Sequence, residues 1–375
     1  MLFKFVTKNY LMIILIGILL YLIKDVTTYI WVNSLLFDGF PYDGPFQNIY
    51  PLRRIDNGDL PGKDFLFFHG NGIPYVHYIF YKVFGSNIFA SELSVAILQF
   101  IMTVFPVFFI LKKLCDLHSA IFFTLCYIFI SFNGLVFSSL SPIFDLSTFG
   151  IRAAFPLIVA SYLYINYGTE NKVKVITVTS VLLLIAILLG TEQGVYAFGS
   201  VAMLILIFNY FNVNIISRII YTVLFSAIFS IILIGFHLLL FGNLDALIQI
   251  KNLSNDQSWY FGIYPHVFIK NINDFFTLSN VYLYETQFIG FVYSLIFLFT
   301  LYLYAKYNNL RRELLICLYL LVYGLGGAFS NFGMIAYHYM EPMIRSSAIV
   351  VCYYLYLSSQ MIFMKTNSQQ EPNIL

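Results

Sequence analysis

Apolar residues along this chain neither alternate nor recur on one face. They run on for roughly 20 positions at a time, the length a helix needs to cross the hydrocarbon core of a bilayer. About ten such runs can be marked, near 10–31, 88–111, 118–139, 153–168, 175–191, 194–212, 217–241, 286–305, 313–330 and 344–363. The pattern predicts an all-α integral membrane protein. It would be a polytopic bundle of transmembrane helices in a single domain over 1–363, with a polar tail at 364–375. Two stretches, 32–87 and 242–285, are too long and too polar to be turns between spans.

Composition agrees with lipid as the solvent. Of 375 residues 60% are hydrophobic and 10% charged, too little charge to cover a water-soluble domain of this length. The net charge of +2 says little; the placement of the charges says more. Lys4, Lys8, Lys112, Lys113, Lys172, Lys174, Arg218, Lys306, Arg311, Arg312 and Lys365 all fall on one side if there are ten spans. By the bias of lysine and arginine towards the cytoplasm, that side is inside, and both termini lie there. Asp116, Glu170, Glu313 and Glu371 are assigned to the inner side and nearly all other acidic residues to the outer. The expected location is the cytoplasmic (inner) membrane, multi-pass, with the active face periplasmic or extracellular.

The first run has basic residues before it and no small-residue cleavage site after it, so it reads as a retained span. Cys115, Cys126, Cys317 and Cys352 lie in or beside apolar runs, which argues against a disulfide framework, and there is no C-x-x-C metal signature. Membrane lipid is the expected surrounding partner; nothing points to nucleic acid.

The first outer stretch is the most informative. Asp43-Gly44-Pro45 is a helix start, and Phe46, Ile49, Tyr50, Leu52 and Ile55 approximate a helical face before Gly58. Asp59-Leu60-Pro61-Gly62 reads as a turn leading to Asp64. A second short helix is predicted from Pro74 to Phe84, with Gly85 as its stop. Both are too short to span and are expected to lie in the interface.

The order of Asp43, Gly58, Pro61, Asp64-Phe65, Pro74 and Phe84-Gly85 resembles the first extracytoplasmic loop of the GT-C glycosyltransferases. These membrane enzymes include bacterial lipopolysaccharide-modifying transferases and protein mannosyltransferases. Two places depart from the family's pattern. Its second acidic residue is Gly44 here, and where many members have Pro-Pro this chain has His69-Gly70-Asn71-Gly72. The resemblance implies a polyprenyl-phosphate-linked sugar donor and a glycan, lipid or protein acceptor. Some members use a divalent cation; with no Asp-x-Asp pair in this chain, no cofactor is expected.

Such a transfer needs a base for the acceptor hydroxyl and fixed donors or positive charge for the departing phosphate. By the resemblance Asp43 is the catalytic base, although the same residue can simply cap its helix. Asp64 is the second carboxylate, for acceptor or metal, or else a turn aspartate. His69 could approach a sugar closely from its glycine-flanked turn, or remain a solvated loop histidine. For the phosphate the candidates are Arg152, Arg345, Arg53 and Arg54, each weighed against snorkelling to lipid headgroups. Glu192, in Gly190-Thr191-Glu192-Gln193-Gly194, and the group His338, Glu341 and Arg345 are candidate substrate contacts at other outer turns. Trp259, Tyr260, Tyr264 and His266 could stack on sugar rings or belong to the interfacial aromatic belt. A lipid-linked glycan flippase or transporter is the alternative from another class. Span centres almost free of charge argue against it. A glycan polymerase or ligase would keep its key arginines in late outer loops, whereas the densest polar group here lies in the first.

Overall fold

In a computed structural model of the chain, residues 43–67, 69–133, 149–245, 247, 281–331 and 341–367 are described. Among them the structure is helical, with a lone bridge between Pro61 and Phe65 in place of any strand. The helices are α1 (Asp43–Asp56), α2 (Ile73–Val83), α3 (Ile88–Leu114), α4 (Leu117–Asn133), the short α5 (Phe149–Arg152), α6 (Ala154–Ile165), α7 (Lys172–Leu189), α8 (Thr191–Leu206), α9 (Ile215–Phe241), α10 (Val281–Lys306), α11 (Arg311–Asn331) and α12 (Glu341–Asn367). The run at 10–31 and residues 134–139 lie outside the described residues; each of the other predicted apolar runs overlaps a helix, although the run at 194–212 outlasts its helix. Among the described residues four stretches are long and apolar enough to cross a membrane: α3, α7, α9 and Ile289–Lys306 of α10. Leu117–Ile128 and Ala154–Ile165 are apolar but shorter.

Amide and carboxylate side chains start several helices by accepting from backbone N–H groups that the first turn leaves unused. Asn87 accepts from Ala90 N at 2.7 Å, Asp116 from Ser119 N at 2.9 Å, Asn171 from Lys174 N at 3.0 Å and Asn214 from Ser217 N at 2.9 Å.

α11 is the axis of the bundle. Every residue from Leu314 to Tyr323 is buried, as expected for a helix that is apolar all round. It packs on α12, α8, α10 and α6, while α7 joins α6, α8 and α9. Helices α9 and α10 are the least covered, with Ile216, Ile220, Val223 and Leu239 of one and Phe291, Leu295 and Leu298 of the other exposed, as a lipid-facing surface would be. Tyrosine, used 30 times, holds helices together by donating to backbone carbonyls of neighbours. Tyr319 donates to Pro156 O at 3.0 Å, Tyr210 to Leu163 O at 2.6 Å, Tyr304 to Phe208 O at 2.5 Å and Tyr293 to Leu321 O.

Of the charges assigned to the inner side, Lys172, Arg311, Arg312 and Glu313 share one end of the bundle. Arg312 donates to Tyr164 O at 2.8 Å and lies 3.9 Å over the Tyr164 ring, whose hydroxyl donates to Glu313 at 3.1 Å. Arg311 lies over Tyr304 and Lys172 over Tyr221. At the opposite end lie the turn between α7 and α8, the start of α6 and the segment between α1 and α2.

Candidate functional site

The segment from Asp43 to Gly85 folds much as its sequence predicts. α1 ends at Asp56 and Gly58 follows at φ +94°; α2 ends at Val83 and Gly85 follows at φ +112°. Ile49 and Leu52 of α1 turn inward, but Tyr50, expected on the same face, is exposed. Asp56 binds Lys82 and accepts from Tyr78 Oη at 2.8 Å, which fastens α1 to α2; Lys82 holds the Asp56 carboxyl below its ordinary range. His77 is buried and its Nε2 donates to Ser91 O at 2.9 Å, fastening α2 to α3. Burial pushes His77 down to about 4, because a charged ring would be stripped of water there.

Arg54, a phosphate candidate weighed against snorkelling to lipid headgroups, is engaged within the loop. Its Nε donates to Asp59 at 2.6 Å, and its guanidinium lies 4.5 Å from the centre of the Phe65 ring. Asp64 is exposed and closes the adjoining turn, accepting from Leu60 N at 2.8 Å.

The loop then crosses the helix ends. Phe67 and Ile73 share a small core with Leu98 of α3, Ile151 of α5 and Leu189 of α7. Two backbone bonds stitch it down: Gly72 N donates to Leu188 O at 2.7 Å, and Thr191 N, at the start of α8, donates to His69 O at 3.0 Å. The approach is too close for side chains. A Cβ on Gly70, whose φ is +149°, would lie 2.5 Å from Leu188 O, and one on Gly190 would lie 2.8 Å from Arg152 Cβ. His69-Gly70-Asn71-Gly72 is therefore a docking turn; Asn71 Oδ1 closes it by accepting from Phe67 N at 2.9 Å.

This docking brings together three predicted residues from distant parts of the chain. Arg152 is 2% exposed and forms an ion pair with Glu192, which is 33% exposed. His69 is buried beside them; burial first, and the Arg152 charge second, hold it well below its ordinary range, so its ring is neutral. Residue by residue, the arrangement is a fixed cation at the rim of an apolar bundle, a partly solvated carboxylate on it, and a neutral imidazole alongside.

Arg345 is 1% exposed, one turn into α12. Its helix start and that of α8 flank the same part of α11. Tyr323 donates to Gln193 Oε1 at 2.6 Å, and a Cβ on Gly324 would lie 3.2 Å from Met343 Cα. Arg345 thus shares one end of the bundle with Arg152 across α11. Only backbone is described for Asp43, the first residue of α1, and for Glu341, the first of α12. His338, Trp259, Tyr260, Tyr264 and His266 lie outside the described residues.

One acidic residue escapes the sequence reading. Glu92 lies in the first turns of α3, inside a predicted span, with Oε1 buried and facing the buried Asn48 of α1. A single carboxylate barely lowers the hydropathy of a run this apolar. The signal that could find it is polar spacing, since Ser91, Ser94, Gln99 and Thr103 of α3 are also buried.

No family model, curated protein or solved structure matches the chain.

Proposed function

We propose that the chain is a membrane glycosyltransferase with a GT-C-like bundle of about ten spanning helices in the cytoplasmic membrane. It moves a sugar from a polyprenyl-phosphate donor to a glycan, lipid or protein acceptor at the outer face. The observation that carries this reading is the meeting of Arg152, Glu192 and His69 beneath a loop docked on helix ends. A lipid-borne phosphate needs fixed positive charge where apolar helices meet water, and a desolvated guanidinium supplies it.

In the reaction the acceptor hydroxyl oxygen bonds to the anomeric carbon as the bond from that carbon to the phosphate oxygen breaks. The electron pair of the broken bond leaves with the polyprenyl phosphate. Asp43 takes the hydroxyl proton, and Arg152 offsets the charge that grows on the leaving phosphate. Asp64, on the solvent side of the same loop, contacts the acceptor. His69 and Glu192 line the donor, and Arg345 at the same end of the bundle is a further contact, as His338 and Glu341 are by the sequence reading. No metal enters this scheme.

The test is Asp43→Asn in protein reconstituted with a labelled polyprenyl-phosphate sugar. Transfer is expected to fall by about 10²-fold or more at equal protein level, the usual contribution of a positioned base. Undiminished transfer removes Asp43 from catalysis. Movement of the labelled lipid across the bilayer without transfer identifies a flippase instead.

A further inference from the structure

The geometry points to Glu192 as an internal stand-in for phosphate: its carboxylate pairs with the Arg152 guanidinium and yields it when a phosphate-bearing lipid binds. This inference rests on the phosphate-binding reading of the site given above.

The two partners differ in their freedom. Arg152 is 2% exposed, whereas Glu192 is 33% exposed. Arg152 belongs to α5, which is held against α3, α6 and α7. The backbone of Gly190 leaves no room behind it, since a Cβ there would lie 2.8 Å from both Cβ and O of Arg152. The cation is therefore fixed, and its partner is the one with access to water. A guanidinium so desolvated needs an anion at all times, because a buried charge left alone is strongly destabilising. Glu192 meets that need without substrate. Once displaced, its carboxylate stays in the first turn of α8, where the helix dipole favours negative charge, so release is not heavily penalised.

The exchange gives the reaction a direction. A sugar linked through a polyprenyl monophosphate is a diester with one negative charge, equal to that of the carboxylate it replaces. The product is a monoester carrying close to two at neutral pH, which Arg152 alone would hold more tightly than the donor. A carboxylate waiting beside the guanidinium competes with that product and helps clear the site. Glu192 is thus a positioning and release residue that touches Arg152, separate from the Asp43 base.

The test measures binding of a polyprenyl monophosphate to the full chain in nanodiscs, for wild type, Glu192→Gln, Glu192→Asp and Arg152→Gln. Wild type is expected to bind, and Arg152→Gln to lose most of that affinity. Glu192→Gln is expected to tighten binding by about tenfold or more, the order that a desolvated charge pair supports. In turnover, Glu192→Gln should lower both KM and kcat and strengthen inhibition by the monophosphate, whereas a merely structural residue would not tighten product. Glu192→Asp, which keeps the charge but shortens its reach, should shift affinity in the same direction by less, and it serves if the glutamine variant does not fold. Wild-type binding with unchanged or weaker affinity in both Glu192 variants overturns the exchange while leaving the site's function standing. Absence of binding to wild type removes the phosphate-binding reading, and the exchange with it.

Discussion

Alanine at Gly70 probes the docking turn on which the site depends. The substitution adds one methyl group at φ +149°, a conformation that costs a side-chain-bearing residue about 1–3 kcal/mol. The methyl would also lie 2.5 Å from Leu188 O and 2.9 Å from Gly190 N, both backbone atoms that cannot swing aside. Relief requires the loop to lift, breaking the Gly72–Leu188 and Thr191–His69 bonds at about 1 kcal/mol each. The docked loop therefore bears about 1–3 kcal/mol of backbone strain in addition to the overlap on those two atoms. Against this stand only the two bonds and the burial of Phe67 and Ile73, worth about 2 kcal/mol per side chain. Docking is weakened, while the helices below keep their packing.

Gly58→Ala is the internal control, because Gly58 also has a positive φ, +94°, but open space where the methyl would go. It should cost only the backbone strain. Hydrogen exchange at the Thr191 and Gly72 amides is the direct assay, since each donates one stitch. Gly70→Ala should expose both amides with little change in the melting of the bundle, and Gly58→Ala should leave them protected. Equal protection in the two variants would refute the steric argument.

Other expectations follow from single contacts. Buried His77 stays neutral down to about 4, while the unfolded chain takes up its proton near 6.5. Stability is therefore full above 6.5 and falls as pH drops towards 4, by at most about 3 kcal/mol, a dependence that His77→Phe should lose in pH-stepped thermal melts. Tyr323→Phe removes the 2.6 Å bond to Gln193 and should cost about 1–2 kcal/mol while loosening the first turn of α8, seen as faster exchange there. Arg312→Lys cannot reproduce both the 2.8 Å bond to Tyr164 O and the stacking 3.9 Å over its ring; a loss of about 1 kcal/mol in denaturant titration is expected.

Helix positions were legible because hydrophobic run length answers to one physical variable, the thickness of hydrocarbon. The gathering of some charges at one end was legible for a similar reason. Lys172, Arg311 and Arg312 meet at one end because alternate connections of an antiparallel bundle must. Short-range chemistry also read well: Gly58 and Gly85 stop helices as predicted, and Asp64 closes the turn offered as its alternative role. What the sequence hid was partnership. Nothing in the spacing of His69, Arg152 and Glu192 says that they touch, since their approach depends on three glycine positions and a small core drawn from four segments. Arg54 shows the same limit in reverse, with an apparently free cation bound by Asp59 five residues away.

Glu92 raises the question of why a carboxylate is kept inside the start of a spanning helix. A charge there is expensive unless it is paired or hydrogen-bonded, and the neighbour that faces it is the Asn48 amide of α1. Asn48 lies little more than one turn beyond Asp43 on the same helix, so the approach of the Glu92 carboxyl to Asn48 bears on the rotation of α1 about its own axis. That rotation decides which way the first residue of α1 is presented. On the transferase reading proposed above, Glu92→Gln preserves shape and polarity and should leave transfer nearly intact, whereas Glu92→Leu should lower kcat with little change in donor KM, because α1 would turn while Arg152 and His69 stay in place. Equal loss in both variants would mean that the charge of Glu92, not its hold on α1, is what the site uses.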